Sequence, residues 1–153
     1  MLEIDKIKSK LYEKCLEYID LRIQSAKSAM DVAQEAANSD TKSSAGDKYE
    51  TTRAMMQIEK DLSARRLSEA LQIKAELEKI KINVISISVQ PGSLVFTSDN
   101  IYFISISAGK INIDNQVYFA ISAESPIGIA LLRKKMGEEI NFNNKIIFIK
   151  SII

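Results

Sequence analysis

Asn38-Ser39-Asp40-Thr41-Lys42-Ser43-Ser44-Ala45-Gly46 is a polar run of small residues with one glycine, set between two long segments of helical period. Such a run can stop one helix and start another. On its N-terminal side Ile4, Ile7, Leu11, Cys15 and Tyr18 recur three or four residues apart. The stripe continues as Ile19, Ile23, Ala26, Met30, Ala33 and Ala37, a heptad-like seam. It predicts a helix over about residues 2–37, roughly 50 Å long at 1.5 Å per residue. On the C-terminal side Met55, Ile58, Leu62, Leu67, Leu71, Leu77 and Ile80 mark a second helix over about 47–80, with a less regular seam. A short connection makes two long helices antiparallel neighbours. Residues 1–80 are therefore expected to form a helical hairpin, a coiled coil with its tip at about 38–50. Ala26, Ala29, Ala33, Ala36 and Ala37 make the distal first helix small. Small seam residues let helices approach at the short end of the usual 8–10 Å spacing, so the tip should be slender and easily frayed. The same periodicity also fits a coiled coil that serves only as spacer or dimeriser.

Beyond Ile80 the chain changes character. The first eighty residues hold no proline and one glycine; the rest holds both prolines and four of the five glycines. Asn83–Val89 alternates apolar and polar, as on a half-buried strand. Further strands are expected over 94–97, 101–106, 117–121 and 145–149, with turns at Pro91-Gly92, Ser98–Asn100, Asp114-Asn115 and Asn143-Asn144. Ser125–Gly137 carries helix punctuation instead. Ser125 can N-cap, and Pro126 suits the first helical position. Arg133-Lys134-Lys135 suits the negative end of the helix dipole, and Gly137 can close the helix. Ile127, Ala130, Leu131 and Met136 would pack on the sheet. Residues 81–153 thus read as an antiparallel sheet with one short helix, and the whole chain as α+β.

Composition narrows the chemistry. The 153 residues are 46% hydrophobic and 27% charged, with a formal net charge of +1. A near-zero balance argues against a protein that works mainly by wrapping nucleic acid. The chain has no histidine, so His-based triads, dyads and zinc sites are excluded. A single thiol, Cys15, fits a reducing compartment, and its place on the seam suits a small core residue. The amphipathic N-terminus lacks a signal-peptide core, and no apolar run is long enough to span a bilayer. A cytoplasmic protein with no membrane partner is expected.

Ser125-Pro126-Ile127-Gly128-Ile129-Ala130-Leu131-Leu132-Arg133-Lys134-Lys135-Met136-Gly137-Glu138-Glu139 resembles the C-terminal signature of the GreA/GreB transcript-cleavage factors. Val89-Gln90-Pro91-Gly92-Ser93-Leu94-Val95 resembles the opening strand of the same domain, and the order of hairpin and β-rich domain matches. The resemblance implies an FKBP-like C-terminal domain docked on the outside of RNA polymerase. It implies a monomer whose hairpin enters the polymerase's secondary channel, in indirect contact with nascent RNA. Acidic residues at the tip would help hold Mg²⁺ shared with the polymerase active site, where hard cations prefer carboxylate oxygens and two metals can stabilise both oxygens of a displacement.

The tip departs from that pattern. The family carries an Asp, a Glu three residues on, an Asn, and a Tyr soon after. Aligned on Asp40, the Glu position is Ser43; aligned on Tyr49, the two acidic positions fall on Lys42 and Ala45. The candidate metal ligands are Asp40, by match to the family Asp, and Asp47 and Glu50, by chemistry and place. Each has a second explanation. Asp40 also suits a solvated loop, while Asp47 in Ser44–Asp47 and Glu50 in the first turn also suit helix capping. Lys42, Lys48 and Arg53 would offset the acids. Four functions therefore stay open: a cleavage-stimulating accessory factor, a related polymerase regulator or inhibitor, an FKBP-like peptidyl-prolyl isomerase built on the sheet's aromatics, and a coiled-coil dimerisation module.

Overall fold

The computed structural model describes residues 2–40 and 47–153. The chain runs α1 (Leu2–Asp40), α2 (Asp47–Lys79), β1 (Leu94–Thr97), β2 (Ile101–Ser105), β3 (Gly109–Ile113), β4 (Gln116–Ser122), α3 (Pro126–Leu131), β5 (Glu139–Phe142) and β6 (Lys145–Ile152). A long helical hairpin precedes a six-stranded sheet with one short helix, the α+β class expected. No helix among the described residues is long and apolar enough to cross a membrane. The chain divides into two compact units, one of residues 19–74 and one of residues 1–18 with 75–153.

In the first unit, Ile19, Ile23, Ala26 and Ala33 of α1 are buried, as the seam predicts. Two hydrogen bonds cross between the helices. Lys74 Nζ donates to Asp20 Oδ1 at 2.8 Å, and Lys60 Nζ donates to Gln34 Oε1 at 2.7 Å. From Asp20 to Gln34 is 14 residues along α1, and from Lys74 to Lys60 is 14 back along α2. The pair is antiparallel and holds one register over two heptads.

The seam of α2 differs from expectation. Met55, Ile58 and Leu71 are 58%, 65% and 47% exposed, whereas Ser63 and Ala70 are buried. Leu77, buried in the other unit, continues their seven-residue step. Opposite an alanine-rich helix, close approach selects small residues for the seam and leaves bulky ones on the flanks.

In the second unit the strand order is β3-β4-β2-β1-β6-β5. Described neighbours pair antiparallel except β2 and β4, which are parallel. The sheet is thus mostly antiparallel, as expected, with this one parallel pair as the exception. The exception follows from β3, which the sequence reading missed: β3 and β4 form a hairpin, and β4 lies between β3 and β2. Edge strand β5 was missed too. The turns Asp114-Asn115 and Asn143-Asn144 stand where expected, all four residues at positive φ, as tight two-residue hairpins require.

Both faces of the sheet are covered at its centre. Val95, Tyr102, Ile104, Ile147 and Ile149 form a core with Leu131 of α3 on one face. Leu94, Phe103, Tyr118 and Ala120 are buried on the other. Cys15 Sγ lies 3.5 Å from Ser105 Oγ, seating the base of α1 on this second face. Lys8 Nζ donates to Ile82 O at 3.1 Å and ties that base to the segment before β1.

Two further expectations change. Residues 83–89 form no strand; their one ladder contact is the bridge Ser88–Lys135. Ser86 Oγ accepts from Ser88 N at 3.3 Å, a local partner that competes with strand pairing. Helix α3 also ends earlier than expected, at Leu131. Leu132 leaves the helix at ψ 134° and Arg133 sits at φ 68°. Val89 takes the backbone there, its N–H donating to Lys134 O and its carbonyl accepting from Arg133 N, each at 2.8 Å. The basic run thus lies beyond the helix and does not complement its dipole. Gly137, at φ 89°, serves the turn into β5 rather than a helix end, and Met136 is exposed. Ile127, Ala130 and Leu131 pack as expected.

Candidate functional site at the hairpin turn

The three candidate acids occupy the two helix ends that face the turn. Asp40 is the last residue of α1, Asp47 the first of α2, and Glu50 lies one turn into α2. α1 runs to Asp40, past the expected end at about 37, while α2 begins at Asp47 as expected; residues 41–46, with Lys42, Ser43 and the expected capping Ser44, lie outside the described residues. The side chains of Asp40 and Asp47 are outside them too. Glu50 is exposed.

A hard divalent cation needs several oxygen ligands at once. Among the described residues no group of three or more His, Cys, Asp or Glu side chains comes together, and Glu50 alone offers one carboxylate. The described part of the tip therefore does not constitute a metal site by itself.

Just below the acids lies a groove of about 110 Å³ along the helix pair. Ala33, Ala37 and Met56 line it from the seam, and Gln34, Asn38, Arg53, Gln57 and Lys60 form its polar side. Lys60 Nζ donates to Gln34 Oε1, and Gln34 Nε2 donates to Asn38 Oδ1 at 3.1 Å. Gln57 Nε2 donates to Asp61 Oδ1 at 2.9 Å. The groove has room for a few waters rather than for a drug-sized ligand. Arg53 and Lys60 add two cations to the groove lining, Arg53 being three residues from Glu50 in sequence. The groove itself went unread. Its signal was the run of amide and cationic side chains one position off the small-residue seam.

Elsewhere, Lys145 Nζ lies 2.7 Å from Asp99 Oδ1, and Tyr102 donates to Asp99 Oδ2 at 3.3 Å. The Lys145 hydrogen bond holds the Asp99 carboxyl below the usual range, and burial pushes the Tyr102 phenol up. Tyr102 and Phe119 pack on one face of the sheet, with ring centroids 6.3 Å apart, while Phe103 and Tyr118 are buried on the other. The aromatics an isomerase pocket would need are thus split between two layers.

No family model matches the chain, and no curated protein does. Solved structures similar to it include that of the transcription factor Gfh1, 17% identical, covering 92% of each chain, with a TM-score of 0.33. At that score the likeness carries no weight for function.

Proposed function

We propose that the chain is a Gre-type accessory factor that binds RNA polymerase and inserts its hairpin through the secondary channel, there to modulate cleavage of backtracked RNA. The observation that carries this is the hairpin: two helices of 39 and 33 residues in antiparallel register on a seam of small residues, with acids at both helix ends beside the turn. A small-residue seam gives the narrow cross-section that passage through a channel demands. The Ser125–Glu139 signature supports the same assignment, its N-cap and Pro126 start being realised in α3.

The factor has no catalytic centre of its own in this proposal. Asp40, Asp47 and Glu50 are its candidates for adding one or two carboxylates beside Mg²⁺ that polymerase and RNA already hold. It would act as a monomer in the cytoplasm and meet the nascent RNA only at the tip.

A second function rests on the altered tip. Ser43, or Lys42 and Ala45, stand where the family has acids in sequence, and Arg53 follows Glu50 by three residues. Such a tip suits a regulator that occupies the channel without stimulating cleavage. Transcript cleavage by backtracked complexes of the cognate polymerase separates the two, with Asp40→Ala, Asp47→Ala and Glu50→Ala run alongside. Faster cleavage that is lost in one variant supports the cleavage factor. Binding without stimulation supports the regulator. Absence of binding overturns both.

A further inference from the structure

The seam of the hairpin weakens towards the turn. Near its middle α1 buries Ile19 and Ile23; further out it buries Ala26 and Ala33, and Ala37 and Met56 are half-buried. An alanine gives up far less apolar surface than an isoleucine, so apolar burial holds the distal helices together less firmly. A polar relay stands there instead. Half-buried Lys60 of α2 donates from Nζ to Gln34 Oε1 at 2.7 Å, and Gln34 Nε2 donates to Asn38 Oδ1 at 3.1 Å. Lys60 sets the direction of the relay. An ammonium can only donate, so Gln34 must turn its oxygen to Lys60 and its N–H to Asn38, which accepts. Gln34 and Asn38 are four residues apart on one face of α1, and Asn38 stands two residues before Asp40, where α1 ends. One charge on α2 thereby locks two side chains along the last turns of α1. The cross-helix bond from Lys74 to Asp20 lies instead where Ile19 and Ile23 already fill the seam.

We propose that Lys60, acting through Gln34 and Asn38, is a positioning residue: it orders the end of α1 against α2 and so fixes where the tip presents Asp40. The proposal rests on the polymerase-binding function above, and it gives Lys60 no contact with polymerase, RNA or metal. The bond to Gln34 is charge-assisted, and so stronger than one between neutral groups. Its acceptor is a neutral amide, so either long cation can make it, whereas a long side chain without a donor cannot. The register of the helices does not need the relay, since Lys74, Asp20 and the isoleucine seam hold it lower down. What needs it is the placing of the tip. A displacement of about 1 Å can cost a catalysed step about a hundredfold, so order at this end bears on the effect on cleavage more than on the grip on polymerase.

The test compares Lys60→Met, Lys60→Arg and Lys74→Met in the full chain, by amide hydrogen exchange and by titration of transcript cleavage with the cognate polymerase. In Lys60→Met, exchange of the amides of residues 36–39 is expected to quicken about tenfold, while those of residues 19–23 keep their rates. Affinity for polymerase should hold within about twofold, and the maximal effect on cleavage, whether a rise or a fall, should drop about fivefold or more. Lys60→Arg should restore both exchange and effect. Lys74→Met, which cuts a cross-helix bond over a filled seam, should change neither. Unchanged exchange in Lys60→Met overturns the relay and leaves the polymerase function standing. Faster exchange with an undiminished effect on cleavage, or a wild type that binds without any effect, overturns the positioning role. Affinity that falls in step with the effect marks Lys60 as a polymerase contact and also overturns it. No binding by the wild type overturns the polymerase function and the positioning role together.

Discussion

Gly128 shows how one residue fixes a local structure. A Cβ at this position would lie 2.0 Å from Ser122 O, so the first turn of α3 can sit on the end of β4 only without a side chain. Ser125 completes the joint, its Oγ donating to Ser122 O at 2.7 Å and accepting from Gly128 N at 3.1 Å. Gly128→Ala is expected to cost about 3 kcal/mol in urea unfolding, because the obstacle is backbone. Ser125→Ala should cost about 1 kcal/mol, the usual loss of an N-cap. A second residue carries a pH signature. Asp99 has its carboxyl lowered from 3.8, chiefly by the hydrogen bond from Lys145 and then by the Lys145 charge. A lowered carboxyl contributes stability above its unfolded value and loses it as pH falls through the folded one. The stability gap between wild type and Asp99→Asn, followed by denaturation against pH, should be full at neutrality and close below about pH 3.8. Both Ser125 and Pro126 were legible in sequence as helix punctuation. The need for glycine at position 128 was not, because it arises from a carbonyl on another element.

At the scale of elements, legibility followed the strength of the local signal. The seam of α1 could be read outright, since aliphatic residues and alanines recur there without interruption. The seam of α2 could be read only in part, Leu77 being buried as expected, because its other buried positions are Ser63 and Ala70 while Leu71, one step from Ala70, is exposed. Ala70→Leu should therefore force the helices apart at a cost of roughly 1–3 kcal/mol. Leu71→Gln should change stability by no more than about 0.5 kcal/mol. A seam through Leu71 would give the reverse order in chemical denaturation. The Asn83–Val89 segment has the alternation of a strand without being one. Alternation states which face is apolar, not whether a neighbour is there to accept the hydrogen bonds. β3 and β5 are short, polar on alternate positions and adjacent to well-marked turns, so their presence follows from β4 and β6 more than from their own residues. The basic run after α3 was misplaced for a related reason: its backbone is claimed by Val89, more than forty residues away in sequence.

At the scale of the molecule, the order of hairpin and sheet domain was open to reading because the hydrophobic period changes from helical to alternating near Ile80. The parallel β2–β4 pair was not, since it depends on where a hairpin inserts. The acids at the tip could be named but not assembled, because a ligand set is a matter of distance rather than of spacing. Cys15 offers a practical handle on the whole. It is the chain's one cysteine, fully buried, with a thiol pushed above its ordinary value by burial. It should resist thiol reagents in the folded protein and react only on unfolding. A cysteine placed at exposed Ala54, one turn beyond Glu50, would then be the single reactive site near the tip. The most direct test of a channel-inserting hairpin is cross-linking from Ala54→Cys, carrying a short photo-reactive label, to the cognate polymerase. An inserted hairpin predicts adducts on the polymerase segments that line the secondary channel beside the catalytic Mg²⁺. Adducts confined to the outer surface of the enzyme, or none at all, would contradict it.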